Sequence, residues 1–226
     1  MIRLRDIVKT YQMGKGSLTV LKGINLEVND GEMVAIMGPS GSGKTTLLNV
    51  VGCLDKPTSG QYLFDDREVS GLSSGELAAL RGQKIGFIFQ TFNLLSRMTA
   101  LANVELGMMY AGGVDRTRAR EALIQVGLGE RLSHRPVELS GGEQQRVAIA
   151  RALVKNPTVF LADEPTGQLD SRSGQEIMAI LGSLQAQRNI SILVVTHDST
   201  VAHQCQRIVH IMDGEVVREE RVEKDR

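Results

Sequence analysis

One glycine-rich segment of the chain has the residue types and spacing of a phosphate-binding loop. It reads Gly38, Pro39, Ser40, Gly41, Ser42, Gly43, Lys44 and Thr45. Two glycines with four residues between them, followed by lysine and then serine or threonine, form this pattern. The glycines let backbone N–H groups approach phosphate oxygens closely. Lys44 is therefore expected to reach the β- and γ-phosphates of a nucleotide, and the Thr45 hydroxyl to ligate Mg²⁺.

The segments on either side of this loop strengthen the prediction. Met33–Met37 is short, apolar and partly β-branched, which predicts a buried strand. Residues 45–51 predict a helix, whose first residues include Thr46 and whose N-terminus adds unpaired donors and a positive dipole end. The alternative, a glycine-rich turn that binds nothing, does not explain the strand and helix that flank the loop.

Polar residues also follow three further predicted strands. Gln90, the pair Asp163-Glu164, and His197 each come directly after an apolar run. In an open parallel sheet, ligands bind at the carboxyl ends of the strands, so we expect these groups to meet near the loop. Asp163 fits a group that helps hold Mg²⁺. Glu164 is a candidate general base for water, because nearby negative charge would raise its pKa.

Four of the candidates have a simpler interpretation when taken alone. Gln90 could ligate the metal or be an ordinary loop residue, and His197 could contact the γ-phosphate or be structural. Tyr11 could stack on the base or pack against the protein. Ser140-Gly141-Gly142 opens a helix with a good N-cap and exposed N–H groups, which describes either a second anion site or a capped helix.

The order of predicted elements indicates an α/β fold. Strands that alternate with helices predict a largely parallel sheet. Alternating residues before Met33 predict a small antiparallel sheet, interrupted by a loop at residues 11–17. Between residues 91 and 157 strand signals are nearly absent, and helices are predicted at residues 101–110, 116–126 and 144–154. We expect a single domain over residues 1–226, with a core of residues 1–90 and 158–226 and a helical subdomain of residues 91–157.

Composition limits the partners and the compartment. Lys+Arg and Asp+Glu are balanced at 26 each, so net charge gives no reason to expect nucleic-acid binding. Two isolated cysteines, Cys53 and Cys205, favour a reducing cytosol over a disulfide framework. The charged residues 1–6 do not resemble a signal peptide, and no apolar run approaches the ~20 residues of a membrane span. Any membrane role is expected to go through a separate partner.

Together, these motifs resemble those of the ATP-binding-cassette (ABC) ATPases along nearly the whole chain. The phosphate loop, Gln90, the signature Leu139–Glu143, Asp163-Glu164 and His197 occur in that family's order. The resemblance implies a phosphate-loop NTPase with a RecA-like, mostly parallel core sheet, a small antiparallel β subdomain and a helical insertion. It implies ATP and Mg²⁺ as cofactors.

The resemblance also implies a role for each site residue. Tyr11 would stack on adenine, Thr45 and Gln90 would hold Mg²⁺, and Asp163 would support the metal through water. Glu164 would be the base and His197 would sense the γ-phosphate, with Lys44 and Gln90 counted with them as catalytic. Nucleotide-binding residues would be Tyr11, Gly38, Pro39, Ser40, Gly41, Ser42, Gly43, Lys44, Thr45, Thr46, Ser140, Gly141, Gly142 and Glu143. Two subunits would sandwich two ATP head to tail, each signature capping the partner's γ-phosphate.

A finer resemblance is to the lipoprotein-release and macrolide-export (LolD/MacB-like) branch, carried by Gly52–Asp55, Gly86–Gln90 and Ala162–Gly167. Glu143 replaces the wider family's Gln, as is common in that branch, and Gln168 stands where the branch usually has Asn. This resemblance implies an ATP-dependent homodimer at the cytoplasmic face of the inner membrane, attached to a separate integral membrane permease, with export or lipoprotein release favoured. The alternative is a soluble ABC ATPase acting on nucleic acid or ribosomes, which would be expected to carry a coiled-coil insertion, a second cassette or a basic patch.

Overall fold

The computed structural model describes residues 1–14, 16–109 and 113–222. Lys15, residues 110–112 and residues 223–226 lie outside the described part, and with them one residue of the predicted loop at 11–17 and the last residue of the predicted helix at 101–110. The chain divides into two compact units, which are Met1–Ala78 with Ser191–Arg226, and Ala79–Ile190. No helix within the described ranges is both long and apolar enough to cross a bilayer.

The strands and helices follow each other as the alternating pattern predicts. The strands are β1 (Ile2–Met13), β2 (Gly16–Val28), β3 (Met33–Met37), β4 (Ser59–Phe64), β5 (Arg67–Glu68), β6 (Ile85–Phe89), β7 (Val159–Asp163), β8 (Ser191–Val195), β9 (Arg207–Met212) and β10 (Glu215–Arg221). The helices are α1 (Lys44–Val51), α2 (Ser74–Lys84), α3 (Ala100–Glu105), α4 (Arg116–Gln125), α5 (Gly141–Leu153), α6 (Ser171–Arg188) and α7 (Ser199–Ala202). Two 3₁₀ turns cover Leu106–Met108 and Pro136–Glu138.

The first unit contains the predicted antiparallel sheet, in the order β2-β1-β4-β5. The predicted loop at residues 11–17 is wrong, because β1 continues to Met13 and β2 already begins at Gly16. Tyr11 pairs with Leu18 and Met13 pairs with Gly16 across this hairpin. Cross-strand pairing satisfies the backbone groups of these polar residues, which the composition alone does not reveal.

A second, mostly parallel sheet in the same unit positions the phosphate loop. β3 lies between β8 and β9 and is parallel to both, and β10 is antiparallel to β9. Every residue of β8 is buried, and β3 is buried except at its last residue. Such apolar runs are typical of strands covered on both faces. Because Ile36 is paired with Val195, the residues that follow β3 and β8 emerge at the same edge.

In the second unit, the parallel pair β6 and β7 lies beside the helices of the insertion. Phe89 is paired with Asp163, so the residues after both strands emerge together. Helix α5 packs against β6, α3 and α4. The prediction of a helix from residue 144 placed its start three residues late, because Ser140 caps the helix and Gly141 is its first residue. The helix predicted at residues 116–126 is confirmed as α4, which ends one residue earlier.

Candidate functional site

The phosphate loop connects β3 to α1 and is held in shape by Lys44. The Lys44 Nζ donates to the carbonyl oxygens of Gly38 at 2.9 Å and Pro39 at 2.8 Å. Gly43 is the N-cap of α1, and its carbonyl accepts the Leu47 N–H at 2.8 Å. The loop therefore curls around its own lysine, with the start of a helix directly behind it.

Two glycines of the loop occupy positions that no other residue could take without rearrangement. Gly43 has a φ of 103°, and a Cβ there would lie 2.9 Å from the Leu21 side chain. A Cβ at Gly38 would lie 2.0 Å from the carbonyl oxygen of Ile211. Left-handed backbone and such close approach to neighbouring backbone favour glycine. The spacing that suggested a phosphate loop is thus also what this packing requires.

The polar side chains of the loop differ in exposure. Ser40 and Thr45 are exposed and Thr46 is half-buried. The Ser42 Oγ is buried, with no hydrogen-bond partner in the described ranges. A hydroxyl buried inside a glycine loop and an exposed hydroxyl on the first turn of α1 are both suited to phosphate and metal binding.

Tyr11 lies on β1 in the same unit, with its hydroxyl anchored. The hydroxyl donates to the Asp55 Oδ2 at 2.8 Å, and the Lys9 Nζ lies 4.8 Å from the centre of the ring. Burial raises the pKa of the Tyr11 hydroxyl, and the hydrogen bond to Asp55 raises it further. Tyr11 is half-buried, so part of its ring remains accessible.

His197 belongs to the first unit and follows β8. The Thr196 N–H donates to the Ile36 carbonyl at 3.1 Å, which fixes the end of β8 beside the end of β3. His197 comes next and is exposed. Since the loop begins just after β3, the structure places His197 at the sheet edge from which the phosphate loop emerges.

The remaining strand-end candidates lie together in the second unit. Gln90 follows Phe89, whose register partner is Asp163, and Glu164 comes directly after Asp163. A Cβ at Gly167 would lie 2.9 Å from the Gln90 Nε2, so this amide packs against the turn that follows Glu164. Glu164 has a φ of 47°, a left-handed conformation that costs energy in a non-glycine residue and is common at functional sites.

The signature segment forms a reciprocal cap at the start of α5. The Ser140 Oγ accepts the Glu143 N–H at 3.2 Å, and the Glu143 Oε2 accepts the Ser140 N–H at 2.8 Å. The hydrogen bond from Ser140, assisted by Arg131, holds the pKa of Glu143 below its ordinary value. Ser140 is exposed, while Gly141 lies beside Leu169, just before α6, and Gly142 lies beside Ser173 in the first turn of α6. The segment therefore caps α5 and also leaves the helix N-terminus, with its N–H groups, exposed at Ser140.

The oxygen donors of each unit, taken separately, suit Mg²⁺ bound with a nucleotide rather than a metal held by protein alone. Thr45 in the first unit offers a hydroxyl, and Gln90 and Asp163 in the second unit offer an amide and a carboxylate. Mg²⁺ prefers oxygen ligands and is usually bound by one or two carboxylates together with substrate phosphates. Over the described ranges, no cluster of three or more His, Cys, Asp or Glu is arranged to hold a metal.

Four residues that contact the candidate site residues or the adjoining loops are not singled out by the sequence analysis. Lys9 and Asp55 surround Tyr11, and Gln145 and Arg151 on α5 contact the strand ends of the second unit. Lys9 and Tyr11 are two residues apart on one strand, a spacing that places both on the same face. Gln145 occupies the buried stripe of α5 with Ala148, Ile149 and Ala152. A glutamine at an apolar position of an amphipathic helix is the signal that could have found it.

Comparison with known sequences gives a consistent result. A family model described as ABC transporter matches residues 21–167. The macrolide export ATP-binding/permease protein MacB 1/2 of Paracoccus denitrificans is 54% identical over 224 residues, which are 98% of this chain and 33% of that protein. The ABC transporter ATP-binding protein MJ0796 of Methanocaldococcus jannaschii is 50% identical over 98% of this chain and 97% of its own. The chain thus spans about a third of the length of the MacB relatives it matches.

Comparison with solved structures agrees with the sequence matches. A dimeric structure of a post-hydrolysis state of the cassette MJ0796, bound to ADP and Pi, matches with a TM-score of 0.90 and 47% identity. The match covers 100% of both chains. Because the match covers the whole chain, it includes the strands, the phosphate loop and the helices of residues 91–157.

Proposed function

This chain belongs to the ABC transporter family as one of its ATP-hydrolysing cassettes, and from that premise we propose that it uses ATP to drive a membrane permease. The single observation that carries the proposal is the loop from Gly38 to Thr45, curled around Lys44 at the head of α1. In the bound state, Lys44 exchanges the Gly38 and Pro39 carbonyls for β- and γ-phosphate oxygens. Backbone N–H groups of Gly41 to Thr46 surround the phosphates.

The groups of the second unit supply the hydrolytic chemistry. Glu164 accepts a proton from the attacking water, and Gln90 orients that water. Mg²⁺, when bound, neutralises charge on the β- and γ-phosphates. Thr45 and Gln90 would hold it, and Asp163 would support it through water. His197 donates to the γ-phosphate from the first unit. The left-handed backbone of Glu164 and the register of Phe89 with Asp163 support these roles.

The signature completes the site of a second copy of this chain. Ser140, Gly141, Gly142 and Glu143 start α5 with an exposed hydroxyl and N–H groups, and the positive end of the helix favours an anion there. The loop of one copy and the signature of the other enclose each ATP. ATP then favours the closed dimer and its hydrolysis products do not, which is differential binding between two states.

Transport requires a membrane subunit, and the MacB relatives are named as macrolide export ATP-binding/permease proteins. We assign this chain to the cytoplasmic face of the cell membrane, held there by such a permease, with export or lipoprotein release as the process. The helical subdomain of residues 91–157 docks it, and residues 1–90 with 158–226 form the nucleotide core. Because Gln90 immediately precedes this subdomain, phosphate chemistry and docking are adjacent in sequence.

The proposed hydrolysis is tested with Glu164→Gln. An amide cannot accept the proton from water, so the variant should bind ATP, lose most turnover and accumulate an ATP-stabilised dimer in size-exclusion chromatography that ADP does not support. The matched control is Glu130→Gln, an exposed carboxylate of the same unit. Near-normal turnover in Glu164→Gln would refute its assignment as the base.

The docking partner is tested by cross-linking. Photoreactive groups placed singly at residues between Phe92 and Leu101 should be captured by an integral membrane protein in cells. Groups on the exposed β10 residues Glu215 and Val217 serve as the control. Capture of ribosomal or nucleic-acid targets from the 92–101 positions would favour the soluble ABC ATPase over the transporter.

A further inference from the structure

We propose that Lys9 and Asp55 are positioning residues that hold the Tyr11 ring ready for the nucleotide base. The inference rests on the proposed function, since it assumes that a base stacks on Tyr11. It concerns three side chains of the first unit, and two of them had no assigned role. Their arrangement is a short hydrogen-bonded chain with the tyrosine at its accessible end.

A single carboxylate joins the lysine to the tyrosine. The Asp55 Oδ1 accepts the Lys9 ammonium at 2.6 Å, and the Asp55 Oδ2 accepts the Tyr11 hydroxyl at 2.8 Å. Lys9 also donates to the Lys56 carbonyl at 2.7 Å. Although burial disfavours the charged form, these hydrogen bonds hold the pKa of Asp55 below its ordinary value. The carboxylate therefore remains an acceptor for both neighbours at neutral pH.

Lys9 covers one face of the tyrosine ring. Its ammonium lies 4.8 Å from the ring centre, within the range of a cation–π contact. Lys9 is only 9% exposed, which is rare for lysine and requires the partners just described. Because one face of the ring is covered, a base must stack on the opposite face. The Lys9 contact therefore determines which face of the Tyr11 ring is available for stacking with the base.

The Asp55 partner of the Tyr11 hydroxyl is in turn held by the helix that follows the phosphate loop. Asp55 donates its backbone N–H to the Asn49 carbonyl of α1 at 3.2 Å. The partner of the Tyr11 hydroxyl is thus anchored to the helix that begins at the phosphate loop. A ring fixed before binding loses less rotamer freedom when the base arrives.

The experiment compares ATP with inorganic tripolyphosphate, which has the phosphates but no base. Affinities for both are measured by calorimetry with Mg²⁺ for the parent and for Tyr11→Ala, Tyr11→Phe and Asp55→Asn. Tyr11→Ala should weaken ATP binding and leave tripolyphosphate binding unchanged. Tyr11→Phe and Asp55→Asn should each weaken ATP binding about two- to tenfold, the cost of ordering one side chain, and also spare tripolyphosphate.

A double variant separates positioning from general loss of stability. Adding Asp55→Asn to Tyr11→Phe should weaken ATP binding little further, because the hydroxyl through which Asp55 acts is already gone. If Asp55→Asn does not fold, as judged by thermal unfolding, Tyr11→Phe still tests the inference because it leaves the Lys9–Asp55 pair intact.

The outcomes distinguish this inference from the proposed function beneath it. Parent-like ATP affinity in Tyr11→Phe, with weakened binding in Tyr11→Ala, would overturn the positioning role and keep the stacking role. Equal weakening for ATP and tripolyphosphate would also overturn it, because the change would then act on the phosphate loop. A parent protein that binds neither ligand would contradict the proposed function itself.

Discussion

The Gln145 side-chain amide nitrogen lies 2.7 Å from the Pro165 carbonyl oxygen, inside the second unit. The same nitrogen donates to the Phe89 carbonyl at 3.3 Å, and Gln145 is fully buried. One side chain of α5 thus joins the ends of β6 and β7, next to Gln90 and Glu164. Since α5 begins at the signature, Gln145 links that segment to both strand ends.

Gln145→Glu should disrupt this link while preserving side-chain size. A carboxylate has no N–H to donate and would face two buried carbonyl oxygens, so we expect a loss of about 3–5 kcal/mol in unfolding free energy. Turnover should fall more than ATP affinity, because Gln90 and Glu164 lose their support while the phosphate loop is unchanged. Chemical denaturation and steady-state ATPase kinetics measure the two effects.

The matched control is Gln187→Glu, the same substitution at an exposed position of α6. It should alter neither stability nor turnover beyond the small changes usual for surface sites. Equal behaviour of the Gln145 and Gln187 variants would show that the Gln145 hydrogen bonds stabilise nothing that hydrolysis needs.

Glu32 should give the first unit a pH-dependent contribution to stability. Its carboxylate accepts two hydrogen bonds from Arg207, at 2.7 and 3.2 Å. Burial opposes ionisation, but the bonds from Arg207 and Asn29 outweigh it and hold the pKa below its ordinary value of 4.5. The stabilisation is therefore present above pH 4.5 and is lost as the pH falls through the lower, folded-state pKa.

Glu32→Gln should consequently cost about 1 kcal/mol at pH 7, after allowance for solvent screening, and less near pH 3. Urea denaturation across this pH range measures the difference between variant and parent. Glu215→Gln, on the exposed side of β10, is the control. A difference that stays constant from pH 7 to pH 3 would contradict the assigned role of the Glu32 charge.

Lys44→Ala should weaken ATP binding by removing the charge nearest the β- and γ-phosphates. Charge-assisted hydrogen bonds contribute about 1.5–3 kcal/mol each, which corresponds to roughly 10- to 150-fold in affinity. Lys22→Ala, an exposed lysine of β2, is the control and should bind ATP like the parent. Calorimetry that finds unchanged affinity in Lys44→Ala would contradict the phosphate-loop assignment.

Motifs whose spacing reflects local geometry were predictable from the sequence. The phosphate loop requires glycine at positions 38 and 43, and the reciprocal cap of α5 requires serine followed three residues later by glutamate. Each of these requirements on residue type involves residues that are close together in the sequence. The strand ends at Gln90 and Asp163 were likewise visible, because each follows a buried apolar run.

Contacts between residues distant in sequence were not predictable in this way. The sequence predicts Tyr11 in a loop, whereas pairing with β2 makes it part of a strand. Its hydroxyl partner Asp55 lies 44 residues away, and no local pattern reports that distance. Gln145 is one of four consecutive polar residues, Glu143 to Arg146, so its burial depends on the helical spacing of α5 and on its packing against β6.

We propose that each ATP site is shared between two copies of this chain. Ser140→Arg should place a long cation where the signature meets the partner's γ-phosphate, so it should bind ATP as a monomer yet hydrolyse it poorly. Lys44→Ala should be inactive for a different reason, because its own phosphate loop no longer binds ATP tightly. Each variant alone should therefore be nearly inactive.

Mixing the two variants tests the claim most directly, because a heterodimer has one site with both substitutions and one with neither. ATPase activity of the mixture, measured against each variant alone, should rise above both, to at most about half of the parent value per heterodimer. Full activity in Ser140→Arg by itself would contradict a shared site, and Ser140 would then be only the cap of α5.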